Sequence, residues 1–137
     1  MTPQGYIALL GWFFVGVPAL FLFLPKRTAA FSGLVIGWLF LPWGHFQVGP
    51  LDITRNVAVS LNVVLCIAVF DPMRFVRLRP SWFDLPIVVW CISPFFTSIS
   101  NDLGAYDGGA VVQSQLYIWG LPYLIGRVYV TDLASIR

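Results

Sequence analysis

An arginine inside an apolar stretch must find a counter-charge, water or a phosphate, and Arg127 stands in one, Gly120-Leu121-Pro122-Tyr123-Leu124-Ile125-Gly126-Arg127. Its planar guanidinium could fork onto two oxygens of a phosphate. The plainer alternative is snorkelling, because Arg127 lies about 17 residues, or roughly 26 Å of helix, beyond Ala110 and so near one set of headgroups. His45 with Arg55 forms a second candidate, since an imidazole can act as a base and a guanidinium holds phosphate oxygens. A loop histidine satisfied by its surroundings is the ordinary alternative. Arg127, His45 and Arg55 are thus the candidate phosphate- or diphosphate-binding residues. Asp102 and Asp107 could meet a cation, but two carboxylates without further oxygen ligands are better read as a solvated turn. No metal site is expected.

No Gly-rich phosphate loop, His-Glu-x-x-His run, nucleophile elbow or Cys/His cluster at ligand spacing occurs in the sequence. Catalytic residues therefore stay unknown, no cofactor is expected, and nothing indicates a self-sufficient enzyme. Cys66 and Cys91 fall inside apolar segments, where a thiol behaves as a small hydrophobe. With no basic tract, nucleic acid is not an expected partner.

The elements that must carry these residues follow from composition. With 58% hydrophobic, 17% aromatic and 10% charged residues and a mean hydropathy of +0.82, the chain has more apolar surface than one soluble core of this size could hide. The apolar blocks are continuous and do not alternate with polar positions, which favours helices over a barrel. The expected fold is all-α, one polytopic transmembrane bundle over residues 1–137. Its five segments are expected at approximately 6–24, 29–43, 57–70, 85–100 and 110–130. The second and third are short, so Trp43 is expected at an interface and Thr54 to Asn56 to be drawn into the third. Pro94 predicts a kink in the fourth. Gly120, Pro122 and Gly126 interrupt the fifth, which either spans or re-enters; re-entry would move the C-terminus to the other side. Gly44 to Asn56 and Asn101 to Gly109 read as outer connections.

Lys26 and Arg27 follow the first block, and Arg74, Arg77 and Arg79 follow the third; all five are expected as membrane-interface anchors on the inner side. Met1 to Gly5 carries no charged side chain, so the first segment is expected to be retained with its N-terminus outside. Gly33 and Gly37 form a small-xxx-small pair suited to close helix packing, and Asn62 should hydrogen-bond a neighbouring helix.

Several phrases resemble the start of a bacterial family of large membrane proteins, the O-antigen polymerases and O-antigen ligase-like proteins. They are Met1-Thr2-Pro3-Gln4-Gly5, Gly37-Trp38-Leu39-Phe40-Leu41-Pro42, Phe70-Asp71-Pro72, Arg79-Pro80-Ser81-Trp82-Phe83-Asp84-Leu85-Pro86, and Trp119 through Arg127. The resemblance covers the N-terminal third or so of what such proteins have. It implies an inner-membrane protein, which makes the outer N-terminus periplasmic, with membrane lipids as surroundings, undecaprenyl-diphosphate-linked glycan as the substrate of lipid-linked glycosyl transfer, and Arg127, His45 and Arg55 as candidate lipid-diphosphate-binding residues. The family's catalytic residues belong to a later periplasmic loop, so none carries over, and either a fragment of a longer reading frame or a shortened relative is expected. A small accessory subunit packing against other membrane protein subunits is the alternative. A channel is less favoured, because no block except the fifth holds an ionisable residue well inside it.

Overall fold

A computed structural model describes residues 3–42, 45–48 and 51–130, the strands by their backbone. The first apolar block is one helical run in three parts: α1 (Pro3–Gly11), a π-helical turn (Trp12–Gly16) and α2 (Val17–Phe23). Pro18 is the cause of the irregular turn, since its ring would strike the carbonyl four residues back in a regular helix. The Val17 N–H reaches five residues back to Trp12 O. Leu24 is extended (φ −112°, ψ 156°), as a residue before proline prefers, and α3 (Lys26–Phe40) starts at once. Its first turn therefore includes Lys26 and Arg27, three residues ahead of the expected boundary. Trp43, Gly49 and Pro50 lie outside the described residues.

The expected loop after α3 holds two strands, β1 (His45–Val48) and β2 (Leu51–Thr54), paired antiparallel. The class is helical with this one hairpin among the described residues. The register puts Phe46 opposite Ile53 and Val48 opposite Leu51, while His45 meets Thr54 and Gln47 meets Asp52. Apolar and polar residues alternate on both strands, the pattern of a ribbon. Thr54 then caps α4 (Arg55–Phe70), its hydroxyl accepting from Val57 N–H at 3.4 Å.

After α4 come the short α5 (Pro72–Val76), a 3-10 turn (Trp82–Asp84) and α6 (Leu85–Ser100). α6 runs through Pro94. The Trp90 carbonyl, which Pro94 deprives of its N–H donor, instead accepts from Ser93 Oγ at 3.0 Å. The connection expected over Asn101 to Gly109 is shorter than that. Asp102 (φ 57°) and Gly104 (φ 91°) make a tight turn, and α7 (Ala105–Gln115) begins at Ala105. Gly108 serves packing and does not break the helix: a Cβ there would come 2.9 Å from Ser98 Cβ and 3.2 Å from Phe95 Cα, so α6 and α7 touch backbone to side chain. A second π-helical turn (Leu116–Gly120) leads into α8 (Leu121–Tyr129).

α4 is the central helix. Val59 and Val63 press on Gly37 and Gly33 of α3, where added Cβ atoms would sit 2.6 Å and 3.2 Å from the valine methyls. The reversed order of the two pairs makes α3 and α4 antiparallel. A Cβ on Gly33 would also come 3.6 Å from Val17 Cγ1 of α2, so that glycine marks a three-helix junction. Phe21 stacks on Phe70 at 5.7 Å, and Ile125, Val128 and Tyr129 complete the core from α8. Among the described residues one helix, Trp82–Ser100, is long and apolar enough by length and composition to cross a membrane. The stretches Ile7–Phe23 and Arg55–Phe70 are apolar but shorter.

Candidate functional site

The fold brings Arg127 to Asp84. Arg127 Nε donates to Asp84 Oδ1 at 2.7 Å and Nη2 to Oδ2 at 3.2 Å, a two-pronged ion pair, and Nη2 also reaches the Arg79 carbonyl at 3.1 Å. Tyr123, one helical turn before Arg127, donates its hydroxyl to Asp84 Oδ1 at 2.5 Å. Asp84 is itself held by the turn it sits in, since its Oδ2 accepts from Ser81 N–H at 2.7 Å. Ser81-x-x-Asp84 is the spacing of a helix-capping box ahead of the apolar run of α6, the sequence signal that would have located this carboxylate. The counter-charge of Arg127 thus comes from the same chain, 43 residues earlier.

This ion pair closes one end of a cavity of about 650 Å³ between α6 and the second π-turn with α8. Its walls are apolar, from Ile87, Val88, Ile92, Leu116 and Leu124, with the Cys91 thiol among them. The volume lies within the roughly 300–1,000 Å³ of ordinary small-molecule sites. The Arg127 guanidinium is already forked by a carboxylate and so neutralised, while the exposed Arg79 lines the same end of the cavity. A diphosphate would have to displace Asp84 before engaging Arg127.

Of the other residues singled out above, Arg79 and Cys91 line this cavity, and Arg55, Arg74, Arg77, Asp102 and Asp107 do not. Arg55 begins α4, and its Nη1 donates to the Leu41 carbonyl at 3.2 Å, tying the end of α3 to the start of α4. Arg127 lies at the opposite end, where Arg74 stands 5.0 Å from the Tyr129 ring and pairs with Asp71 at 3.0 Å. The 16 residues of α4 hold the two ends about 24 Å apart. His45 opens β1 on the Arg55 side; its side chain lies outside the described residues. Arg127, His45 and Arg55 therefore do not form one diphosphate site. Asp102 belongs to the tight turn and Asp107 to the first turn of α7, where a carboxylate suits the helix dipole. Arg74, Arg77 and Arg79 are exposed around α5, beside exposed Met73, Val76, Trp82 and Phe83.

Asn62 is buried on α4 and joins two elements. Its Nδ2 donates to the Phe13 carbonyl at 3.1 Å, and its Oδ1 accepts from Cys66 Sγ at 3.7 Å. That carbonyl needs a donor because Val17 N–H goes to Trp12 O and Pro18 has none to offer. No protein-family model, curated protein or solved structure matches the chain.

Proposed function

We propose that this chain is a polytopic membrane protein that holds a lipid chain in the cavity between α6 and α8, binding and positioning it without turning it over. The observation that carries the reading is the apolar cavity of about 650 Å³ with an internally paired Asp84–Arg127 dipole at its end. Such a cavity accepts a hydrocarbon chain along its length and a polar group at one end. Its carboxylate, Asp84, is held by Arg127 and is not left free as an acid or base. Exposed apolar surface supports a lipid surrounding: only 11% of the Trp82–Ser100 span is buried, and Phe23 and Phe83 are each 86% exposed.

In this reading the five helical runs cross the inner membrane in alternating directions. The short ones rely on local thinning and on the arginines around α5. The resemblance to O-antigen polymerases suggests undecaprenyl-linked glycan as the lipid. Its isoprenoid chain suits the apolar walls better than its diphosphate suits the occupied Arg127. A second reading, an accessory subunit of a larger membrane assembly, is favoured by the outward aromatic face of α6, which exposes Trp90 and Phe96.

The test is retention of lipid by the full chain purified in detergent, read by native mass spectrometry. Val88→Trp narrows the cavity at a wall residue that is 47% exposed and so tolerates a larger side chain. It should strip most of the retained lipid, while Val69→Trp, on the exposed face of α4, should not. Equal retention in wild type and both variants would remove the cavity as the lipid site.

A further inference from the structure

The helices contain three prolines at interior positions of their runs, and each deprives a backbone carbonyl of its donor. Two of those carbonyls have a side-chain substitute. The Trp90 carbonyl, freed by Pro94, takes Ser93 Oγ at 3.0 Å, and the Phe13 carbonyl, freed at Pro18, takes Asn62 Nδ2 at 3.1 Å. Pro122 makes the third case, and its local sequence repeats the second. Gly16-Val17-Pro18 and Gly120-Leu121-Pro122 both follow a π-helical turn of five residues. In each the glycine stands opposite a bulky residue four back, Trp12 or Leu116. Tyr117 occupies the place of Phe13. The Leu121 N–H goes to Leu116 O, and Pro122 has no N–H, so both donors that would otherwise reach the Tyr117 carbonyl are gone. Among the described residues no side chain donates to it.

This carbonyl belongs to the cavity wall. Tyr117, Gly120 and Leu121 all line the space between α6 and α8, and a helical carbonyl points along the helix over the residues three and four further on. Gly120, lacking a Cβ, leaves it uncovered. We infer that the Tyr117 carbonyl is a hydrogen-bond acceptor built into the cavity, and that the preferred ligand is an amphiphile carrying a hydroxyl or amide donor. The inference rests on the cavity being a lipid site and narrows its ligand class. A partner helix is a poorer occupant, because its own backbone N–H groups are already bonded within it and leave the Tyr117 carbonyl unmet.

The acceptor lies about 15 Å along the helix from Arg127, ten residues on, so a donor there is read separately from the ion pair. An unmet carbonyl in an apolar wall discriminates strongly between a ligand that donates and one that cannot.

The experiment compares hexadecanol with its methyl ether, which keeps the oxygen and removes the donor, on the delipidated full chain by native mass spectrometry. Wild type should favour the alcohol by a few-fold to about tenfold, the range of one net hydrogen bond. Pro122→Ala restores a backbone N–H that can occupy the carbonyl, at no cost to helix propensity. Gly120→Ala covers it, with nothing nearer to the new Cβ than Leu116 Cδ2 at 3.5 Å. Either change should bring the alcohol-to-ether ratio close to one, while Pro18→Ala should leave it unchanged. Equal binding of alcohol and ether by wild type would overturn the inference and leave the lipid site standing. A preference that survives both Pro122→Ala and Gly120→Ala would also overturn it. Failure to bind either ligand would remove the lipid site as well.

Discussion

At the scale of single residues, prolines set the agenda and polar side chains answer it. Asn62 and Pro18 are 44 positions apart, yet one exists to repair the other, since the Phe13 carbonyl has no other donor within the irregular turn. Asn62→Leu leaves that carbonyl buried and unmet, and should lower thermal stability in detergent by about 1–2 kcal/mol. Pro18→Ala returns an N–H to the helix and lets the turn relax. The two changes should therefore couple: Asn62→Leu costs clearly less in the Pro18→Ala background, which a double-mutant cycle of melting curves will show. Strict additivity would mean that Asn62 stabilises through packing alone. A buried amide in an apolar block announces in the sequence that it needs a partner. That the partner is a backbone carbonyl is legible only once Pro18 is placed in a helix. Arg127 was equally conspicuous in the sequence, but its partner was not. Asp84 looks like a boundary residue, and only the return of α8 beside the start of α6 makes it a counter-ion.

At the scale of elements, the helices were legible because continuous apolar blocks between Pro and Gly signals leave few alternatives, and the connections were not. Four of the five helical runs start earlier than the apolar pattern does, and α6 starts with it at Leu85. Lys26 and Arg27 belong to α3, and Ala105 to Gly109 belong to α7 despite two glycines, because polar residues suit a first turn and Gly108 is needed against Ser98. The hairpin was hidden among polar residues, although Phe46, Val48, Leu51 and Ile53 already alternate with polar neighbours. Contact between α3 and α4 makes a quantitative case. Gly37→Ala would place a Cβ 2.6 Å from Val59 Cγ1, on a buried branched side chain with one preferred rotamer, and overpacking of this kind costs about 1–3 kcal/mol. Gly33→Ala meets Val63 at 3.2 Å, a contact that a few tenths of an ångström relieves, so its effect should be smaller. Val59→Ala should recover much of the loss in Gly37→Ala and none in Gly33→Ala, as read by thermal unfolding. Equal losses at the two glycines would show that the α3–α4 contact is looser than this geometry.

At the scale of the whole molecule, charge is sorted between two ends. The antiparallel order of α3 on α4, the Phe21–Phe70 stack and the meeting of Asp84 with Arg127 put the ends of α2, α4 and α8 together with the starts of α3 and α6. That end carries Lys26, Arg27, Arg74, Arg77, Arg79 and Arg127, six of the eight basic residues of the chain, against Asp71 and Asp84, which pair with Arg74 and Arg127. The opposite end has Asp52, Asp102 and Asp107 against Arg55. Such a molecule in a bilayer should orient with its basic end inside, since each cation beside an anionic leaflet contributes about 1 kcal/mol. The arginine pattern was readable along the chain, but its gathering at one end required the helices to pair. Val76 at the end of α5 and Leu103 in the turn after α6 are both exposed, and α6 lies between them. In a chain with Cys66 and Cys91 replaced by alanine, Leu103→Cys should react with a membrane-impermeant maleimide added to spheroplasts. Val76→Cys should react only after the membrane is opened. The reverse pattern would invert the orientation and assign the basic end to the outside. Labelling of both positions in sealed cells would mean that α6 does not cross, and with it the bilayer-spanning arrangement of the helices would fall.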